Sequence, residues 1–234
     1  MDFANLKTLN RYRLDRIAAV TVTDMNTGVS HVATDSQSFK GTLGEAVAAA
    51  LRSGKSGSVT IEDTTYFVNA YLPAPRIIII GAVHITQTLA QMAQLTGFDV
   101  SIIDPRTAFA TTERFGQVDL IADWPEDVLK TRPLDAHTAL VAVTHDPKID
   151  DFPLADALRT GCFYVGALGS RKTHRARVER LVDQGLTEAE IARIHAPIGL
   201  DIGAASPAEI AVAILAEIIS ALRSGNATLS KRDD

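Results

Sequence analysis

Residues 76–82, Arg-Ile-Ile-Ile-Ile-Gly-Ala, constrain the fold of this chain more than any other stretch. A strand with one face in water alternates apolar and polar side chains. A run that is apolar throughout must be covered on both faces, as a central strand of a parallel sheet is. The next segments repeat the theme. Ile85, Leu89, Met92 and Ala93 fall on one face of a helix, and DVSIID (99–104) reads as the next strand. VDLIA (118–122), TALVAVTH (138–145) and CFYVGAL (162–168) are further strands, each separated from the next by helix-length sequence. Strand and helix in alternation predict βαβ units with right-handed crossovers, and so a doubly wound, mostly parallel α/β sheet.

The chain divides near Pro73 and Pro75. Before them, 17–23 and 28–34 are rich in β-branched residues and flank a turn at Asp24–Thr27. Residues 41–52 read as a helix, with Leu43, Val47 and Leu51 at four-residue spacing and Gly54 just past its end. Residues 58–62 and 65–71 read as a second hairpin. The expected organisation is a small α+β domain over 1–72, built of short β segments around a single helix, an α/β domain over 73–225 and a polar tail over 226–234. In the larger domain Ser206-Pro207-Ala208-Glu209 forms a capping box with proline at the first helical position. The helix it opens stacks Ile210, Ile214, Ile218 and Leu222 on one side, with Ala211, Leu215 and Ile219 beside them, and Gly225 is expected past its end.

Composition adds exclusions. The 234 residues are 46% hydrophobic and 22% charged, with a net charge of −5, which disfavours a nucleic-acid or membrane-surface binder. No window approaches the roughly 18 apolar residues of a membrane span. No basic start followed by an apolar run marks a signal peptide. The single cysteine, Cys162, rules out an internal disulfide and a four-thiolate zinc site. These features predict a soluble, cytoplasmic protein.

Four segments carry residues suited to ligand chemistry, and all follow predicted strands or open predicted helices. In Gly81-Ala82-Val83-His84 a glycine turn leads from a buried strand into a helix whose first N–H groups favour a phosphate. The dinucleotide fingerprint asks for glycine at positions 81, 83 and 86, and Val83 and Thr86 stand at the last two. Asp104, about 20 residues on, is placed for a ribose hydroxyl. Arg106 beside it offers a phosphate contact instead, and the plain alternative is that Asp104 caps the turn before Pro105. In Thr144-His145-Asp146 an apolar strand ends in polar groups that suit acid–base work, metal ligation or simple helix capping. In Gly166-Ala167-Leu168-Gly169-Ser170-Arg171-Lys172 backbone amides, a hydroxyl and two cations converge at a helix start, an arrangement that suits an anion. Arg175, Arg177 and Arg180 continue the basic run and read as a solvated helix face. Gly199 and Asp201 belong to a shaped loop before the last helix, with His195 expected at the end of a helix begun by Thr187 and Glu190. Four of the six histidines fall in these segments, but no metal-ligand spacing such as His-x-x-x-His occurs, and no metal is expected.

Taken together, residues 76–222 resemble the C-terminal Rossmann domain of the XdhC/CoxI family, accessory proteins that mature xanthine dehydrogenase, carbon monoxide dehydrogenase and related molybdenum hydroxylases. The likeness rests on GAVHITQ, SIIDPR followed by FATTERF, ADWPED, VTHDPKIDD, FYVGALGSRKTHRAR and RIHAPIGLDIGAASPAEIAVAILAEI, in that order. It implies a Rossmann-type sheet, molybdenum cofactor (molybdopterin) as cargo, help with sulfuration of the metal centre, handover to an apo-enzyme and a homodimer. The partners so implied are a molybdoenzyme of the xanthine dehydrogenase type and a cysteine desulfurase. Ser170, Arg171 and Lys172 would then hold phosphate, and His145 with Asp146 would meet the pterin or its metal end. An NAD(P)-dependent oxidoreductase and a cofactor-free adaptor are the alternatives, because fold alone does not choose a function. Two departures stand out. The family reads Gly-Ala-Gly-His where this chain has Val83, and the usual N-terminal Gly-Gly-Cys-(Leu/Val)-Glu segment is expected to be lacking, since 1–72 holds no cysteine.

Overall fold

The computed structural model describes residues 2–227, with two compact units, a smaller one whose main stretch ends at Pro73 and a larger one running Ala74–Arg223. The smaller unit runs α1 (Phe3–Leu14), β1 (Ala19–Asp24), β2 (Ser30–Ala33), α2 (Gly41–Ser53), β3 (Gly57–Ile61) and β4 (Thr64–Tyr71). Its strands pair antiparallel in the order β2-β1-β4-β3. Val20, Val22 and Val68 of the sheet close a small core against Val47 and Ala50 of α2. Two helices are therefore present where a single one was expected. The extra one, α1, lacks an apolar stripe: Leu9 is its one buried residue, while Phe3 and Leu14 are exposed. It is held by local and polar contacts instead, with Asp2 accepting from Asn5 N–H at 2.8 Å and Asn5 Nδ2 donating to the Ser30 carbonyl at 2.6 Å.

The larger unit contains β5 (Arg76–Ile80), α3 (His84–Leu95), β6 (Asp99–Ile103), α4 (Thr112–Phe115), β7 (Asp119–Ile121), α5 (Pro125–Thr131), β8 (Thr138–Ala142), α6 (Pro147–Thr160), β9 (Tyr164–Ala167), α7 (Arg171–Asp183), α8 (Glu188–Ile191), β10 (Ile194–His195) and α9 (Pro207–Ala227). All six strands are parallel and lie in the order β10-β9-β8-β5-β6-β7. Counted from β5, this is 6-5-4-1-2-3, the order of the Rossmann fold, and it reverses direction between β5 and β8. The four isoleucines of β5 explain its central place. Ile78 and Ile80 enter one core with Leu140, Leu154, Leu158 and Leu181, while Ile77 and Ile79 enter the other with Leu89, Val141, Ile214 and Ile218. Each buried isoleucine contributes about 1.5–3 kcal/mol of transfer free energy, which neither layer of helices could supply alone.

Three details differ from the sequence reading. His195 is not at the end of a helix: α8 is a single turn closed by the Thr187–Glu190 capping box, and the chain then pairs beside β9 as β10, with His195 opposite Gly166. Helix α9 opens on the Ser206–Glu209 box as expected but runs through Gly225 to Ala227, so that glycine does not end it. The basic face of α7 is not all in water, for Arg177 is 2% exposed and Arg180 is tied to Asp151 by two bonds. Of the expected polar tail, residues 228–234 lie outside the described residues.

Candidate functional site

In a parallel sheet every strand leaves at the same edge, so the loops after β5, β6, β8, β9 and β10 share the carboxyl edge of the larger unit. The reversal between β5 and β8 is the point at which open α/β sheets leave a crevice. Gly81 sits there with φ +120°, and a Cβ on it would lie 2.9 Å from Thr144 Cγ2. Only glycine lets the β5 turn lie this close to the β8 turn. Val83 takes the N-cap position of α3 without a side-chain bond and packs against the core below, while His84, the first residue of α3, is exposed.

Asp104 is fully buried and already occupied. It accepts from Ala82 N–H at 2.7 Å, from the Arg106 backbone N–H at 2.9 Å and from the Arg106 guanidinium at 2.9 and 2.8 Å. Burial pushes its carboxyl up, but the Arg106 and Ala82 donors outweigh burial and leave it below the ordinary carboxylate range. A ribose hydroxyl could reach Asp104 only by displacing Arg106. Arg106 is held more strongly protonated by that bond, and also by the charges of Asp150 and Asp146 across the sheet edge. Arg114, which lies in the FATTERF segment but was not among the expected site residues, pins the same turn by donating to the Ala82 carbonyl at 2.8 Å and the Phe109 carbonyl at 2.7 Å.

At the end of β8, Thr144 is buried and its hydroxyl donates to Asp150 at 2.7 Å, while His145 is exposed and stands at φ +64°. Asp146 is the N-cap of α6, accepting from Lys148 N–H at 3.0 Å ahead of Pro147. Asp150 closes this turn from within, taking the His145 N–H at 3.1 Å as well. Its 1% exposure raises its pKa to about 6, against the lowering pull of the Thr144 bond and the charge of Arg177.

The loop after β9 brings Gly169 (φ +138°) to Ser170, whose Oγ caps α7 by accepting from Thr173 N–H at 3.2 Å. Arg171 and Lys172 follow in the first turn, both exposed. Gly166 is different in kind. The space a Cβ would need is filled by Ile198 Cδ1 and the Tyr164 hydroxyl, each 2.6 Å away, so Gly166 serves packing inside the strand. Gly199 (φ +92°) lies against the backbone of α9 at Ala213, and Asp201 is exposed farther along that loop.

A second polar centre was not visible in the sequence. Glu217 of α9 accepts from the Tyr164 hydroxyl at 2.6 Å and from Gly199 N–H at 2.8 Å, and it pairs with His195 Nδ1 at 2.9 Å. His195 also stacks on Tyr164, with ring centroids 4.6 Å apart. Burial and the Glu217 carboxylate hold the Tyr164 phenol well above its ordinary pKa. Glu217 lies three residues after the apolar Ile214, on a stripe that reads as pure packing, and its partners come from a strand and a loop far off in sequence. Cys162 is buried, and its thiol is pushed up to about 12 by burial, so it behaves as a core residue. Among the described residues no three His, Cys, Asp or Glu side chains cluster in a way that could hold a metal ion. No helix among them is long and apolar enough to cross a membrane.

The edge therefore gathers Gly81, His84, Asp104, Arg106, Thr144, His145, Asp146, Gly169, Ser170, Arg171 and Lys172 on neighbouring loops, with Gly199 and Asp201 beyond β10. The family model of the XdhC Rossmann domain matches residues 77–218. A Bacillus subtilis protein described as a probable xanthine dehydrogenase subunit is 35% identical over 159 residues, which cover 68% of this chain and 46% of that one. The Escherichia coli molybdenum cofactor insertion chaperone PaoD is 30% identical over 155 residues, 66% of this chain and 42% of its own. The uncharacterized Escherichia coli protein YqeB is 30% identical over 193 residues, 77% and 32% respectively. The chain thus spans less than half the length of each of these curated relatives. A crystal structure described as a xanthine dehydrogenase from Bacillus halodurans aligns over 97% of this chain and 66% of that one, with a TM-score of 0.63 at 24% identity, a likeness of fold.

Proposed function

Since the chain belongs to the XdhC family through its Rossmann domain, we propose that it is a maturation factor for a molybdenum hydroxylase of the xanthine dehydrogenase type. It binds molybdenum cofactor as cargo and hands it to the apo-enzyme, acting as a carrier rather than a catalyst. A relative named as a molybdenum cofactor insertion chaperone supports the role. The geometric support is one observation: the turn at Gly81, the polar end of β8 and the Ser170-capped start of α7 share the carboxyl edge of adjoining strands. A pterin bearing a phosphate needs an anion cradle beside polar groups. In this reading Ser170, Arg171 and Lys172 take the phosphate, and His145 with Asp146 face the pterin or its metal end. The partners are the apo-enzyme and a cysteine desulfurase, and the working form is a homodimer.

The test is capture. Protein purified with cofactor available, then oxidised and assayed for pterin fluorescence, is expected to carry pterin. The Arg171→Ala, Lys172→Ala double variant should carry several-fold less at unchanged melting temperature, because both side chains are exposed. Natively folded protein without any pterin would defeat the reading. The strand order also suits a nicotinamide dinucleotide. A large rise in melting temperature with NAD or NADP, and none with pterin, would transfer the assignment to an oxidoreductase, because a ligand that binds only the folded state must raise its apparent stability.

A further inference from the structure

A cation beneath the carboxyl edge is left short of partners. Arg177, in the middle of α7, is 2% exposed, and its one bond runs from Nη2 to the Leu168 carbonyl at 3.0 Å. Its Nε and Nη1 atoms are buried with no hydrogen-bond partner. The nearby carboxylates do not complete it. Asp151 is held by two bonds from Arg180, and the oxygens of Asp150 accept from Thr144 and from His145 N–H. Burial draws the Arg177 guanidinium below its ordinary pKa, with only partial compensation from the charges of Asp150 and Asp151. A buried charge in this state is costly unless something pairs with it.

Beside Arg177 lies a cavity of about 60 Å³, walled by His145, Asp150, Thr173, Ala176 and Arg177 among others. About 10–15 Å³ of such space admits one water, so the cavity has room for a few waters or one tetrahedral ion. His145 in its wall holds a left-handed backbone (φ +64°), a conformation uncommon outside glycine that gathers at ligand clamps. The charges point the same way. Arg177 and Arg180 bring two positive charges, Asp151 offsets one, and Asp150, with a pKa of about 6, offsets the other only above that pH, so the wall is net positive in mildly acidic solution. Water would satisfy an N–H without supplying charge, whereas an oxyanion supplies both.

We propose that this cavity between α6 and α7 binds a tetrahedral oxyanion, phosphate or an ion of its shape and charge, with Arg177 as the anchor. The assignment goes beyond the carrier reading and stands without it. It also differs in place, since Arg171 and Lys172 lie on the exposed first turn of the same helix.

The test uses the full chain and inorganic phosphate, followed by calorimetry and by melting temperature. The wild type is expected to bind phosphate. Arg177→Met should weaken binding about tenfold or more, the scale of one charge-assisted hydrogen bond. This variant replaces an unpaired buried charge by an apolar chain of similar length, so it should fold. Ala176→Leu gives an independent check: Ala176 is exposed yet lines the cavity, and the longer side chain obstructs it without touching the fold's core. Both variants should lose phosphate, while the Arg171→Ala, Lys172→Ala pair keeps it. Competition with ribose 5-phosphate separates the sources. Displacement of inorganic phosphate by the ester marks the cavity as the seat of a larger ligand's phosphate, and no displacement marks it as a site for the free ion. Failure of the wild type to bind phosphate, or wild-type affinity in either Arg177→Met or Ala176→Leu, would overturn the proposal. Pterin capture is scored separately, so loss of one result leaves the other readable.

Discussion

Asp150 carries the clearest pH signature in the molecule. Its carboxyl has a pKa of about 6 in the folded protein, against an ordinary 3.8, because burial disfavours the charged form. The folded state therefore binds the proton more tightly than the unfolded state. Above about pH 6 the ionised group lowers stability, by about 3 kcal/mol for a shift of this size. That penalty is relieved as pH falls from about 6 towards 4, and below the unfolded value it is gone. Asp150→Asn cannot titrate. Urea unfolding at a series of pH values should show the wild type gaining on Asp150→Asn by about 2 kcal/mol between pH 7 and pH 4. A difference independent of pH would mean that the carboxyl is not held in the way its burial demands.

Among the elements, the last helix does more than cover a face of the sheet. Through Glu217 it ties the start of β9 (Tyr164), the edge strand β10 (His195) and the loop at Gly199 to one carboxylate. β10 is only two residues long and has little ladder of its own, so this carboxylate fixes where it lies. Glu217→Ala would leave a phenol, an imidazole and a backbone N–H without their acceptor. Stability should fall by about 3 kcal/mol, given 1–3 kcal/mol for each buried group left unsatisfied and partial rescue by water. Glu217→Gln, which keeps an acceptor, should recover part of the loss. Chemical unfolding measures both, and a change below about 0.5 kcal/mol for Glu217→Ala, the range of ordinary surface substitutions, would remove Glu217 from this role.

On the scale of the whole molecule, the two units have separate cores. The buried residues of the larger unit's two packed clusters lie between Ile77 and Ile218, and those of the smaller unit's cluster between Val20 and Val68. A chain of 74–234 should therefore unfold cooperatively by itself, with a heat-capacity step in calorimetry. A chain of 1–73 buries a core of only five residues and should be marginal, since small domains bury too little surface to offset chain entropy. A fragment 74–234 without a cooperative transition would show that the larger unit leans on the smaller for its stability.

The pattern of apolar runs and helix-length spacers was enough to establish the doubly wound sheet, because a strand covered on both faces and an amphipathic helix each leave a local periodic signature. The helix starts at Thr187 and at the Ser206 capping box were legible because each is written within four residues. Weakly patterned elements escaped: α1 carries one buried residue, and β10 is two residues long. Side-chain fate was harder still. Arg177 and Arg175 look alike in a basic run, yet the first is buried and the second exposed, because α6 packs along one side of α7 only. Asp104 has the spacing of a ribose contact, but its fate depended on Ala82 and Arg106 closing around it. Periodicity along the chain thus determined which segments are strands and helices. Which charged groups face water, which pair and which stay unsatisfied was decided only when segments distant in sequence came within hydrogen-bonding reach.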